Sequence, residues 1–528
     1  MPRPLGAQIS HMLKDRGVDV VFGIPGVHNI EMYRGLEEAG LRHVLARHEQ
    51  GAAFMADGYA RATRRPGVCY LITGPGLVNA MTALGQSYSD SVPVLALASC
   101  LDETAARRGQ LHQMRDQRAA AATVCDWSEE ARSPQAAYAL VDRALSEFAS
   151  ARPRPKAIHV PIAALGAPAE PFGPAPAHPT LPQADVAQVR AVLDRVLAAQ
   201  RPVFILGGGA RAGAGAIAAV LRGTGAASFT TIAGRGLVPV EAPLHFGSFL
   251  PRPDSARVLA SADLVIALGT ELSETDLWRG DLGHDAPMIR VDLDPRMLAQ
   301  ARAGDTPILG DAGALLRAMA SALATSDHDA PSGWDAAEVA ATRARWRAEV
   351  MAERPAIVET VDALRAVMPD DAMIWSDMTQ FAYAATEVWD MPRPGHWHHP
   401  VGFGTLGYAL PAAIGGAVAR PGLPTVAILG DYGLQYTLPE LGTAVELGLG
   451  LPILVWDNAA LGEIRDAMTR SQIAPTAVTA RNPDFLALAR AYGARAAQPD
   501  SLAALQSALR EAFGAPVPTV IRMTPAML

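Results

Sequence analysis

The chain has 528 residues, half of them hydrophobic and 19% charged, with a net charge of −8. A disordered chain is excluded by that composition, and the length calls for about three domains instead of one core. The acidic balance argues against a nucleic-acid partner, which favours a basic face.

In chain order, the opening "MPRPLGAQIS" lacks the apolar core of a signal peptide, and no charge-free stretch reaches bilayer length. A cytoplasmic protein without a membrane partner is expected. Cys69, Cys100 and Cys125 have no CxxC spacing, so buried free thiols are expected and not a disulfide framework or a zinc site. A first block alternates strand-like and helix-like runs: "VDVVFGIPG" before "NIEMYRGLEEAG", "RHVLAR" before "EQGAAFMADGYARAT", "GVCYLITGPG" before "LVNAMTALGQSYSD". The Pro- and Ala-rich run 166–185 reads as a linker. A second block holds "PVFILGGG", "AGAIAAVLRGTG" and "ADLVIALGT"; the polar stretch 325–335 reads as another linker. The third block carries "AMIWSDM", "TVAILGDYG", "PILVWDN" and "TVIRM". Short apolar strands alternating with helices imply parallel sheets covered on both faces. The expected fold is α/β, with three doubly wound domains at 1–165, 186–324 and 336–528.

Two strands of the third block end in oxygen-bearing side chains, Asp431 and Asn458, 27 residues apart. "TLPE" between them predicts a capping box, with Thr437 as N-cap and Glu440 three residues on. In open α/β sheets, ligands bind beyond the carboxyl ends of the strands. Asp and Asn oxygens suit Mg²⁺, which needs roughly six oxygens and takes only a few from protein. Gly430 and Gly433 let backbone N–H groups approach a phosphate. The run 206–220, "LGGGARAGAGAIAAV", lacks the full dinucleotide register, so bound FAD is not expected.

These motifs resemble the thiamin-diphosphate family, which includes acetolactate synthase, benzoylformate decarboxylase and pyruvate decarboxylase. The resemblance covers nearly the whole chain, in the order pyrimidine-binding, central and diphosphate-binding domain. It implies a metal site at Asp431, Asn458 and the carbonyl of Ala460, with Tyr432 and Asp457 departing from the family's Gly and Asn. "RHEQGAAFMADGYARATRRPGV" resembles the segment bearing the catalytic glutamate, here Glu49. A carboxyl sharing a proton with N1′ of the aminopyrimidine favours the imino form that activates the cofactor. Pro25, Gly26 and Gly74 fall in two loops resembling the family's active-site loops. Thr379 and Gln380 fall in a diphosphate loop. Gly404 offers its carbonyl to the pyrimidine, and Leu406 is the bulky residue that bends the cofactor. By the same analogy the site lies between two subunits of a homodimer or homotetramer. Gly433 is expected to absorb an unusual backbone angle beside Tyr432, whose ring packs away from the diphosphate.

None of three familiar substrate sites is intact: His112 stands alone where pyruvate decarboxylases have adjacent histidines, Val27 and Ile72 replace the serine and the histidine of the benzoylformate type, and "LHQ" stands where acetolactate synthases carry Phe-Gln-Glu. "FGIPGVHNIEMYRGL", "TDLWR", "DMTQFAY" and "ALGEIRDAM" resemble bacterial decarboxylases of 5-guanidino-2-oxopentanoate. That implies a 2-keto acid substrate, CO₂ release, and a carboxylate that pairs bidentately with a guanidinium. Asp276 and Glu463 are the candidates, with Val27 and His28 beside them and Trp278 read as core or interface. An acetolactate-synthase-like or benzoylformate-decarboxylase-like carboligase or lyase, and a non-catalytic paralogue, are the alternatives.

Overall fold

Val20–Gly23, Gly67–Leu71 and Val94–Cys100 are buried at every position, as strands are when helices cover both faces of a parallel sheet. The structure is a computed structural model describing residues 3–103, 107–324, 332–479 and 481–527. Its first sheet contains β1 (Val20–Gly23), β2 (Arg42–Leu45), β3 (Gly67–Leu71), β4 (Val94–Cys100), β5 (Trp127–Glu130) and β6 (Lys156–Pro161), in the order β2-β1-β3-β4-β6-β5. The central sheet contains β7 (Pro202–Leu206), β8 (Ala227–Thr230), β9 (Leu264–Leu268), β10 (Met288–Asp292) and β11 (Thr306–Leu309), in the order β8-β7-β9-β10-β11. The third contains β12 (Met373–Ser376), β13 (Trp397–His398), β14 (Thr425–Gly430), β15 (Pro452–Trp456), β16 (Arg495–Ala497) and β17 (Thr519–Met523), in the order β13-β12-β14-β15-β17-β16. Every pairing within these sheets is parallel. Three doubly wound α/β units result.

The first and third sheets share one strand order. In each, the chain leaves its first strand to one side and returns on the other. The switch points therefore lie between β1 and β3, and between β12 and β14, where such folds bind ligands.

The two units meet through equivalent helices, Glu49–Thr63 and Ala409–Ala419, each just before the third strand of its sheet. Their backbones touch. A Cβ on Gly58 would lie 2.0 Å from the Ala412 carbonyl oxygen, and one on Gly415 would lie 2.0 Å from that of Met55. Only glycine permits such an approach.

Two expectations about connections change. The run 166–185 begins with a short strand, Pro168–Ala169, paired antiparallel with Arg3–Pro4; residues 170–185 have no helix or strand. Of the second linker, 325–331 lie outside the described residues, but Trp334 is buried and donates to the Pro202 carbonyl. The helix Ala336–Glu353 places Trp346 against Phe229, Phe246 and Phe249. The third block thus opens on a helix that packs on the central unit. The three cysteines are free and buried. Burial pushes the thiols of Cys69 and Cys100 up to about 12.

Candidate active site

At the switch point of the third sheet, β14 ends at Gly430 and Asp431 opens a short helix, Asp431–Thr437. Tyr432 is helical with negative φ, and its N–H donates to Asp431 Oδ1 (3.0 Å). Gly433 has no unusual backbone angle either, which corrects the expectation. It is glycine for space: a Cβ there would lie 2.1 Å from Asp377 Oδ2. Asp377, a residue that motif reading missed, accepts from the N–H groups of Gly407, Tyr408 and Ala409 at the start of the Ala409–Ala419 helix. Burial pushes its carboxyl up to about 7 against the pull of those donors.

Asp431 is buried, and burial holds its carboxyl above the ordinary range, as does neighbouring Asp457. Asn482 Nδ2 donates to both carboxylates, at 2.6 and 2.8 Å. Asp457 is neutralised by Arg522 (2.6 Å). Among the described residues no Lys or Arg pairs with Asp431. A buried carboxylate left without a cation is costly. Beyond β15, Asn458 Oδ1 accepts from the Ala460 N–H (3.2 Å), and Asn458 Nδ2 lies 3.4 Å from Gln380 Oε1. A Cβ on Gly462 would lie 2.3 Å from that same oxygen.

One cavity gathers most of the predicted residues of this half: Thr379, Gln380, Gly404, Leu406, Gly430, Asp431, Tyr432, Gly433, Asn458, Ala460 and Glu463. Gly404 has φ +66°, a conformation that favours glycine. Tyr432 is half-buried and is among the residues that border the cavity. No lining residue comes from the first domain.

A second cluster forms at the switch point of the first sheet. The Gly26 N–H, one residue after Pro25, donates to Asn29 Oδ1 (2.7 Å). A Cβ on Gly26 or on Gly76 would strike the Ile72 side chain, and one on Gly76 would also lie 3.3 Å from Glu49 Oε1. Asn79 Nδ2 donates to Glu49 Oε2 (2.9 Å). The His28 and His112 rings meet edge to face with centroids 4.8 Å apart. Burial, then His112, holds the His28 imidazole below its usual range. His112 has φ +61°, and a Cβ on Gly74 would lie 2.3 Å from its carbonyl oxygen. Val27 is exposed.

Three readings are corrected. Asp276 does not line the cavity. It is buried and accepts from the Ile232 N–H (3.1 Å) and the Ser273 hydroxyl (3.0 Å), and burial pushes its carboxyl up to about 6. Trp278 is 54% exposed and meets the Tyr383 ring edge to face, so it is not a core residue, while its exposed face is available to an interface. The capping box does not form. Thr437 ends its helix and donates to the Gly407 carbonyl (2.8 Å). Glu440 instead reaches into the first domain and accepts from the N–H groups of Arg47 and His48, one residue before Glu49. Glu463 does line the cavity, but it already accepts from Arg354 and Arg470, both at 3.1 Å.

The residues fit a diphosphate held through a hard cation. The donors are one buried carboxylate without a counter-ion, one amide oxygen and one backbone carbonyl, beside glycines that a Cβ would fill. Among the described residues no group of three or more His, Cys, Asp or Glu side chains could hold a metal, so phosphate oxygens would complete the sphere.

Comparison with known proteins agrees. Sequence models of the thiamine pyrophosphate enzyme match in three parts: the N-terminal TPP binding domain over residues 3–120, the central domain over 189–319, and the C-terminal TPP binding domain over 377–523. The chain belongs to the thiamine pyrophosphate enzyme family. It is 43% identical to a probable 2-ketoarginine decarboxylase of Pseudomonas aeruginosa, over 98% of this chain and 93% of that protein. It is 31% identical to the acetolactate synthase isozyme 2 large subunit of Escherichia coli, over 92% and 89%. An acetolactate synthase of Arthrospira platensis is 30% identical over 92% and 87%. Among the described residues no helix is long and apolar enough to cross a membrane.

Proposed function

We propose that the chain decarboxylates 5-guanidino-2-oxopentanoate, which is 2-ketoarginine, to 4-guanidinobutanal and CO₂. It does so with Mg²⁺, in the cytoplasm, as a homodimer or homotetramer whose sites are each shared by two subunits. The observation that carries the site assignment is the cavity joining Asp431, Asn458 and Ala460 to Gly404 and Leu406. That it takes nothing from the first domain, while Glu49 sits in a cluster of its own, supports completion of the site by another subunit.

Asp431, Asn458 and the Ala460 carbonyl would hold Mg²⁺, and through it the diphosphate. Bound thiamin diphosphate would supply a nucleophilic carbon for the keto carbon and a cationic ring as the sink for the electron pair left behind as CO₂ departs. Glu49 Oε2 is fixed by Asn79, while Oε1 makes no hydrogen bond among the described residues. That arrangement supports Glu49 as the carboxyl that would hold a proton at the pyrimidine N1′. His28 and His112, each with a buried Nδ1 lacking a partner among the described residues, offer imidazole N–H groups to the substrate carboxylate. At the cavity edge, Glu463 and Asp466 together hold the Arg354 guanidinium, at 3.1 and 2.9 Å. A substrate guanidinium would exchange with it there.

The test is CO₂ release from a panel of 2-keto acids by purified protein with thiamin diphosphate and Mg²⁺. The guanidino acid should exceed pyruvate and benzoylformate at least about tenfold in kcat/KM, a difference of about 1.4 kcal/mol. Asp431→Ala and EDTA treatment should each abolish cofactor retention in a folded protein. Tight cofactor binding by Asp431→Ala would refute the site. Acetolactate formed from pyruvate would favour the carboligase reading.

A further inference from the structure

Two buried side chains of the first domain lie outside the cavity and outside the Glu49 cluster. Gln86 is on the Pro75–Ser89 helix, and Asp90 is its C-cap residue. Both reach across to the 401–405 turn of the third domain. Asp90 accepts from the N–H groups of Val401 (3.3 Å) and Gly402 (2.9 Å). Gln86 Oε1 accepts from the Thr405 N–H (3.2 Å) and hydroxyl (3.0 Å). The two are locked to one another: Gln86 Nε2 donates to Asp90 Oδ2 (2.8 Å), which also takes a hydrogen bond from Arg61 (2.8 Å). Every polar atom of this clasp that faces the turn is matched by a donor of the turn. Gly404, with its positive φ, and Leu406 stand immediately beside the points so held. Downstream of them, Asp377 fixes residues 407–409 from within the third domain. The segment that borders the cavity is therefore pinned by its own domain, by the first domain and, at the Val401 carbonyl, by the Thr275 hydroxyl of the central domain (3.1 Å).

We infer that Gln86 and Asp90 are positioning residues which, by holding the 401–405 turn, set where Gly404 and Leu406 stand in the site. The inference rests on reading that cavity as the cofactor site. Neither residue touches the cavity; each acts through the backbone. Thiamin-diphosphate affinity should depend chiefly on Asp431 and Asn458 and respond little to the clasp. Turnover should respond strongly, because a small misplacement of reacting groups costs rate far more than binding.

The experiment compares wild type, Gln86→Met and Asp90→Asn. Ser87→Ala is the control; it removes a hydrogen bond to Asp57 in the same polar cluster, and Ser87 makes none to residues 401–405 among the described residues. Amide hydrogen exchange of peptides covering 401–405, on cofactor-free protein, should quicken at least about tenfold in the two variants and stay unchanged in the control. In holoenzyme, kcat should fall at least about tenfold while the Kd for thiamin diphosphate moves by less than about threefold. Unchanged exchange at 401–405 in both variants would overturn the inference, as would quickened exchange with wild-type kcat. An equal loss of kcat in Ser87→Ala would reduce the clasp to general packing and overturn it too. A wild-type protein without cofactor binding or CO₂ release removes the functional reading, and does so before any variant is compared. The exchange measurement still decides whether the clasp holds the turn.

Discussion

Tyr432 asks little of the backbone. Its N–H points to Asp431 Oδ1, its φ is ordinary, and the space that must stay empty belongs to Gly433. Tyr432→Gly should therefore change thiamin-diphosphate affinity by no more than about fivefold, the scale of the ~1 kcal/mol that glycine costs a helix. A hundredfold tighter Kd by calorimetry would show that the ring obstructs the site. Asp276 behaves differently from its sequence reading. Burial raises its folded pKa to about 6 from an ordinary 3.8, so between those values the folded protein binds more protons than the unfolded one. Stability from this group then falls as pH rises from about 4 to 6, by up to about 3 kcal/mol. Asp276→Asn should remove that part of the pH dependence of Tm between pH 4 and 7. It should leave kcat/KM for the guanidino acid within about twofold, since the side chain meets Ile232 and Ser273 and not the cavity. A hundredfold loss of kcat/KM would return Asp276 to the substrate site. Asp431 and Asn458 could be read from sequence because their spacing follows strand ends. Asn79, Asn482 and Asp377 could not, because each serves a partner brought near only by folding.

Strands were the legible elements: each apolar run singled out in the first and third blocks contains a strand. Helix detail was less legible. The run 29–40 is broken into Ile30–Tyr33 and Leu36–Ala39 around Gly35, where a Cβ would lie 2.7 Å from the Ala7 carbonyl oxygen. No periodicity reports such a contact. "TLPE" has the letters of a capping box, yet tertiary demand takes Glu440 to two N–H groups of another domain. Local propensity yields where a buried carboxylate finds better donors. The crossing of the Glu49–Thr63 and Ala409–Ala419 helices gives a prediction at this scale. Gly58→Val should lower stability by about 3 kcal/mol or more, because the new side chain meets backbone that cannot yield. Gly215→Ala, on a helix with open space around it, should be neutral or stabilising by up to about 1 kcal/mol. Thermal or urea unfolding reads both, and equal midpoints would contradict the contact.

Across the molecule, the first and third units repeat one strand order and face each other through the same helix, so each serves the other. Glu440 of the third holds the turn that leads into Glu49, while Gln86 and Asp90 of the first hold the turn that carries Gly404. If each site joins the first domain of one subunit to the third of another, Glu49→Gln and Asp431→Ala should each lose at least about a hundredfold in rate alone. Dissociated and re-mixed in equal amounts, they should recover about a quarter of wild-type activity, because half of the dimers then carry one intact site. No recovery in dimers shown to be mixed would place the whole site within one subunit. The glycine crossing also bears on how this scaffold tolerates recombination with its relatives. A crossover that takes residues 47–90 from one parent and 401–440 from another separates Gly58 from Ala412 and Gly415 from Met55. It also parts both polar clasps from the turns they hold. Such hybrids inherit two sound domains with mismatched joints. Exchange of the central unit leaves these joints intact, so breakpoints in 170–185 and just beyond Arg354 are where shuffled descendants should survive.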